Sequence, residues 1–491
     1  MTTTGPAAVP PTGAPDVAPR ATPDAVPGVA PLTRYVAEFV VGTQEKDIPA
    51  DVQQLGKKAI LDALGVALPG AISAPGKVLT GYLQDLGCTG PATVIGTPHK
   101  LAPRFAALAN GTAMHADDYD DTLQAETGRY QGVHPTAPVL SAVLAAGEAR
   151  GASGRDLLLA YQVGVEVACR LFDATHVNHI LHGFHATATC GMLGAAAAVA
   201  RLYGMDADAV ATTLGIAASQ AGGLQENFGT SVKPFHAGRS AEVGIVAADL
   251  QRRGFTASPI ILEAKRGFFQ ALGGGHEAAR LLGKLGQPWS FVDRGIWLKA
   301  FPTGSLGHPA MTKMLELVRE HDIHPRDVAR IRVKTSQNIH HTLLHHQPRN
   351  ELQAKFSLEF CLAALLLERK CGLNQFHDEY VMRPDVQDTI AKVEYTTFSP
   401  EEATRERHTI VTSYVEIEMK DGQRHGGRVD AGKGNKANPM SEDEVADKFR
   451  ECAEFSHWPM DKAERAIALV RRLEDVADVR EITRELTTAG G

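Results

Sequence analysis

The sequence predicts a mainly α-helical domain with an inserted, smaller α+β domain, and three observations carry that expectation. Apolar residues recur at helical spacing from Leu32 onward, alternate with charged residues after Trp297, and return to helical spacing after Met440. A chain that leaves one pattern and later resumes it places the middle segment as an insertion whose two junctions lie together. The expected division is a flexible Pro-rich arm over 1–31, a helical domain over 32–296, an α+β domain over 297–432, and a segment over 433–491 that completes the helical domain.

Val36, Phe39 and Val40, then Ile60, Leu61, Leu64 and Val66, open the helical part. Further helices are expected over Pro138 to Gly147, Arg155 to Phe172, Gly194 to Leu202, Asp208 to Ala217 and Gly238 to Arg253. The Ala and Gly residues between Gly191 and Gly223 suit close helix packing, which lets polar loops approach one another in a central cleft. In the middle segment Ile331 and Val333 alternate with Arg332 and Lys334, and Val415, Ile417 and Met419 with Glu416 and Glu418, as in half-buried strands. Asp421-Gly422 reads as a turn, while Thr312 to Glu320 and Leu358 to Glu368 keep helical spacing. The Gly-rich stretch Gly426 to Asn438 is expected as a connection, after which Ser441 and Glu444 form a capping box that starts the last helical segment.

At 491 residues, 44% hydrophobic and 22% charged, the chain can bury a sizeable core, which excludes a disordered protein. Its 50 basic and 57 acidic side chains leave a net charge of -7 and no broad electrostatic case for a nucleic-acid or membrane partner. A small anion remains possible, because it needs only a few local cations. The six cysteines lie far apart and form no zinc or iron–sulfur ligand pattern. The arm lacks a signal-peptide pattern, and no apolar run approaches the roughly 20 residues of a membrane span, so a soluble cytoplasmic protein is expected.

Four polar clusters break the apolar pattern: His115 to Thr122 with His134-Pro135-Thr136; His182 to Thr187; Lys233-Pro234-Phe235-His236; and Lys299-Ala300-Phe301-Pro302 followed by His308. Together they offer the groups needed for acid/base chemistry on an anion. Adjacent carboxylates repel unless hydrogen-bonded or paired with cations, so the acidic run points to Asp118 and Thr122 as functional, with Asp121 orienting the loop. His134 can transfer a proton or lock the loop, and His185 can face a pocket or satisfy nearby backbone. Lys233 can meet a carboxylate beside backbone amides, or pair with an internal acid while His236 caps the turn. His115, Asp118 and the later histidines also permit a metal reading, but the HExxH motif and compact Cys/His ligand patterns are absent, so no metal is expected. The spacing of Gly229 and Gly238 does not make a phosphate loop.

The Asp118-Tyr119-Asp120-Asp121-Thr122 run with His134-Pro135, the Gly183 to Thr189 segment, the Lys233 to Gly238 segment and Lys299-Ala300-Phe301-Pro302 occur in an order that resembles the MmgE/PrpD family. That family includes 2-methylcitrate dehydratases, cis-aconitate decarboxylases and an iminodisuccinate epimerase, and the resemblance covers Leu32 to roughly Leu486. It implies a lid-like α+β insertion, a homodimer, no cofactor or metal, and a site around Asp118, Thr122, His134, His185 and Lys233, with a contribution from Lys299 to His308. Where decarboxylase-like members can carry Cys-His, this chain has Thr303-Gly304, so a mechanism using that His does not transfer. The connection from Leu123 to Val133 also resembles the longer dehydratase-like one.

The expected function is therefore a cofactor-independent, dehydratase-like lyase acting on a small di- or tricarboxylate by α-proton abstraction. Lys233, with Lys299 and His308, holds the anion; Asp118 or His185 exchanges the carbon-bound proton; His134 serves the departing group; Thr122 orients the substrate; Asp121 and His236 support. The alternatives are an epimerase or isomerase, a cis-aconitate-type decarboxylase, and a non-catalytic carboxylate-binding protein.

Overall fold

Helical spacing in the first part produces long helices whose apolar faces meet in one core. The computed structural model describes residues 30–123 and 132–488. Most of the expected arm and the interior of the Leu123 to Val133 connection lie outside these residues. Helices Ala50–Ile72, Pro103–His115, Thr136–Arg150, Gly154–Ala174, Ala186–Leu202, Ala207–Ala218 and Val232–Gln251 pack against one another. Large side chains such as Tyr161 and Phe172 are fully buried there, each contributing about 2–3 kcal/mol of transfer free energy. The same core runs from Leu32 to Leu298 and takes up Met440 to Leu486 from the far end of the chain.

A second core, from Phe301 to Ile417, belongs to the α+β part. Its four-stranded sheet has the order Val393–Thr397, Val328–Thr335, Ser413–Met419, Arg424–Val429; the first pair is parallel and the others antiparallel. The alternation read from the sequence sets the register. Ile331 faces Ile417 and Val333 faces Val415 on the buried side, whereas Arg332 pairs with Glu394, Glu416 and Glu418 on the other. Helices His308–Glu320 and Leu358–Glu368 pack together, and the first also lies against the sheet. The molecule is thus a mainly helical unit with a smaller α+β unit formed by an internal stretch of the chain.

One expectation needs correction. Gly426 and Gly427 are not part of a connection but lie in the edge strand Arg424–Val429, where backbone pairing with Ser413–Met419 overrides glycine's poor strand preference. The strand Val393–Thr397 also escaped the sequence reading, because its residues are only half-buried or exposed and show no clear apolar face.

The return to the helical core begins where the capping box was read. Ser441 Oγ accepts from Glu444 N at 3.1 Å, and Glu444 Oε2 accepts from Ser441 N at 2.7 Å, starting helix Glu442–Phe455. Ser441→Ala is expected to remove about 1 kcal/mol of stability, a fall of roughly 2 °C in Tm by scanning calorimetry. An unchanged Tm would show that the cap contributes nothing here.

Among the described residues no single helix is long and apolar enough to cross a membrane. The apolar helix Ala50–Ile72 lies instead inside the core, with Ile60 and Leu64 buried. All six cysteines are free thiols, five of them buried.

Candidate active site

The acidic run follows the end of helix Pro103–His115, and each of its four carboxylates has partners of its own. Asp117 meets Lys355 Nζ at 2.9 Å. Asp118 pairs with Lys233 and lies 3.2 Å from Lys299 Nζ. Asp120 holds His115 Nδ1 at 2.9 Å and lies 3.4 Å from His134 Nδ1. Asp121 accepts from Thr136 Oγ1 at 2.5 Å. Carboxylates this close in sequence stay together because each points to a different part of the fold.

Backbone proximity makes the Asp118–Lys233 pair possible. Gly238 presses on Leu108 and Thr112, so that any Cβ there would collide with helix Pro103–His115. Only a glycine lets helix Val232–Gln251 come so near, and that approach carries Lys233, at its start, onto the acidic loop. Asp118 itself has a left-handed φ of 52°, a conformation that Asp and Asn accept more readily than most residues. Thr122 exchanges backbone hydrogen bonds with Trp297 at 2.9 and 2.8 Å, which aligns the loop with the segment bearing Lys299. Lys299 Nζ then donates to the Asp118 carbonyl at 2.7 Å.

These residues line a cavity of about 220 Å³ between the helical core and the α+β core. Its wall includes Asp118, Thr122, His134, His185, Lys233 and Lys299 from the helical side and Gly304, Asn338, Thr342 and Phe356 from the α+β side. Of the residues singled out in the sequence, Asp121 and His236 stand behind this wall. Asp121 grips Thr136, and His236 Nδ1 lies 3.1 Å from His185 Nδ1.

His308 does not meet the sequence expectation of a substrate contact. It is fully buried between the Trp297 and Phe301 rings, donates Nε2–H to the Thr303 carbonyl at 3.3 Å, and is not part of the cavity wall. The apolar surroundings, helped by Lys299, push its pKa down to about 3, so it is a neutral structural imidazole. Asn338, Thr342 and Phe356 were missed, since nothing local marks them as site residues.

Burial would raise the Asp118 pKa, but the Lys233 and Lys299 ammonium groups overcome it and hold the carboxyl well below its usual range. Asp118 is therefore a fixed anion and a poor base; its evident work is to hold two cations. Burial lowers the Lys299 pKa, and Asp118 partly restores it. Burial also lowers His185 far below its ordinary value, with His115 and Lys233 adding to the effect, so this imidazole is neutral.

For His134 the hydrogen bond decides the tautomer. Nδ1 donates to the Asp121 carbonyl at 2.8 Å, leaving Nε2 with a free lone pair in the neutral ring. Asp120 supports the same assignment from 3.4 Å. The sequence reading gave Asp120 no role of its own and brought in His115 only as a possible metal ligand. Their pairing closes behind His134, whose ring centroid lies 4.6 Å from that of His115.

His115, Asp118, Asp120 and His134 place donor atoms within 4.8 Å of one another, a spacing that a metal ion accepts. Lys233 and Lys299 compete for Asp118, and His115 already occupies Asp120, so a cation would have to displace existing charge pairs. The arrangement suits an anion better.

Burial pushes the His115 pKa down to about 4 from 6.5. The unfolded chain therefore takes up this proton first as pH falls. The contribution of neutral His115 is present above pH 6.5 and is lost between 6.5 and 4, a decline of about 3 kcal/mol. His115→Asn, which keeps a donor for Asp120, is expected to flatten the acid side of the Tm–pH curve relative to wild type. Superimposable curves would contradict the assignment.

A mainly helical body with an α+β insertion and a cavity between them lined by lysines and histidines defines a class of proteins, and sequence comparison agrees. Residues 34–281 match the MmgE/PrpD N-terminal domain and residues 301–475 the MmgE/PrpD C-terminal domain. The chain belongs to the MmgE/PrpD family. It is 29% identical over 466 residues to cis-aconitate decarboxylase of Homo sapiens, covering 92% of this chain and 94% of that protein. Identity to cis-aconitate decarboxylase of Mus musculus is 30% over 472 residues, with 93% of each covered. For the protein of that name from Aspergillus terreus it is 28% over 446 residues, covering 86% and 89%.

Proposed function

We propose that this chain is a lyase that uses its own side chains to decarboxylate a small unsaturated di- or tricarboxylate. The carrying observation is the convergence of Lys233, Lys299, His134, His185 and Thr122 on one cavity. The decarboxylase names of the relatives favour carbon dioxide loss over the dehydration favoured by the sequence reading.

In this reading the two ammonium groups, set by Asp118, hold the carboxylates that remain. The bond to the departing carboxylate breaks and its electron pair forms a new carbon–carbon double bond, which displaces the original π pair onto the far alkene carbon beside a retained carboxylate, where a proton is added. His134, through its Nε2 lone pair, or His185 first takes up a proton from solvent and then supplies it to that carbon, and Thr122 orients the acid. Positioning and preorganised cations lower the barrier in a site that undergoes little rearrangement. A homodimer and the domain limits at 297 and 432 belong to the same proposal.

One observation supports dehydration as a second reading. Gly304 lies in the cavity wall and has no side chain with which to move a proton. Proton NMR in deuterium oxide with cis-aconitate, 2-methylcitrate, citrate and amino-dicarboxylates separates the classes. Carbon dioxide release with one solvent deuteron in the product is the expected result. Water loss alone would move the assignment to a hydro-lyase, and stereochemical exchange alone to an epimerase. Binding without any of these would leave a carboxylate-binding protein.

A further inference from the structure

We propose that the acid bound at this site carries a hydrocarbon chain, which leaves the catalytic cavity through the gap beside Phe228 and Phe356 and lies in an adjoining antechamber. This inference rests on the carboxylate reading above and narrows it.

The first observation is the composition of the inner wall. Beside the lysines and histidines stand Phe228, Leu306, Phe356 and Ile410, all only half-buried by the protein itself. A small polycarboxylate has no use for four apolar side chains, since every carboxylate set against them forfeits hydration. A hydrocarbon group gains from the same contact.

The second observation is that the cavity continues. Phe228, Thr342 and Phe356 also line a neighbouring space of about 950 Å³, much larger than the inner 220 Å³. Into this outer space project Leu224, Leu344 and Leu352, exposed by 51%, 57% and 55%. These aliphatic side chains share the cleft with polar groups such as Glu226, His341 and Asn350, so its apolar contact is carried by the leucines together with Phe228 and Phe356. The two spaces share Phe228, Thr342 and Phe356 as a common wall, so a chain passing these side chains would lead from the inner one to the outer.

The third observation concerns the inner wall. Gly304 keeps the inner wall free of a side chain, and a Cβ there would come within 2.9 Å of Leu343 Cδ2. A residue with a side chain there would have to displace Leu343, so the glycine fits the packing behind this stretch of wall.

The test is calorimetric binding of succinate and its 2-alkyl derivatives from methyl to octyl to the full chain, run alongside turnover of the corresponding alkylated unsaturated acids. Affinity is expected to rise roughly fourfold per methylene until the chain leaves the apolar contacts. Ile410→Asn should reduce the gain for short chains, and Leu344→Ser should reduce it only for the longer ones. Affinity that stays flat or falls from succinate to the octyl derivative overturns the inference, as does an unchanged chain-length slope in both variants. Chain-dependent binding without proton exchange or carbon dioxide release would remove the proposed reaction and leave the ligand class standing. Turnover of unsubstituted acids with chain-indifferent binding would do the reverse.

Discussion

Asp118→Asn is expected to lower kcat/KM by roughly a hundredfold to a thousandfold, the range seen when one preorganised electrostatic group is lost. Asn suits the left-handed φ of 52° at this position, so the backbone survives and the change removes charge alone. Two ammonium groups then lose their shared anion. Lys299, whose pKa is already lowered by burial, loses the nearest charge that raises it. Its ammonium form persists only below that lowered pKa and disappears as pH rises through it. The alkaline limb of kcat/KM should therefore move to lower pH in the variant, with KM rising as carboxylate binding weakens. A variant within tenfold of wild type and with the same pH profile would contradict the role assigned to Asp118.

Lys448→Met should have the largest effect on stability. Lys448 comes from helix Glu442–Phe455, yet its buried ammonium pairs with Asp62 at 2.7 Å and donates to the Tyr119 and Lys299 carbonyls, each at 2.8 Å. It also sits 3.8 Å from the Tyr119 ring centroid. The C-terminal segment thus props the Asp118 loop and the Lys299 segment from behind. Removing the cation strands a buried carboxylate and two carbonyls, a loss of about 3–5 kcal/mol in urea unfolding. Asp62→Leu combined with Lys448→Met should recover part of it, because neither charge is then left alone. A single variant within 1 kcal/mol of wild type, by the scale of ordinary surface changes, would show that the prop is dispensable.

How far the site was legible follows from the range of the interactions that form it. Asp118, Thr122, His134, His185, Lys233 and Lys299 stand in turn-rich breaks between apolar runs, and all six line one cavity. Local pattern marked them as candidates because polar groups there interrupt helical spacing, and the family resemblance singled them out. Lys448 was invisible for the opposite reason. It lies within a helical pattern, and its partners are up to 386 positions away at Asp62, a contact that only tertiary packing creates. Asp120 was hidden among its neighbours, since sequence alone does not say which carboxylate turns inward. His308 was overread; next to Pro302 and Lys299 it looks available, but the aromatic rings of Trp297 and Phe301 enclose it.

The fold divides in the same way. Strands Val328–Thr335 and Ser413–Met419 were readable because one face is buried and the other charged. Arg424–Val429 was not, because its glycines owe their strand conformation to pairing with a neighbour. The capping box at Ser441 was readable because all its interactions fall within one helical turn.

The central claim is that a histidine at this cavity moves a proton at a carbon next to a carboxylate held by Lys233 and Lys299. Its most direct test is solvent deuterium incorporation during turnover, followed by NMR in wild type, His134→Gln and His185→Gln, each first shown to melt like the parent. Incorporation at one carbon in wild type, with a large loss of rate in at least one of the two variants, is the expected result. Incorporation at an undiminished rate in both variants would contradict the claim.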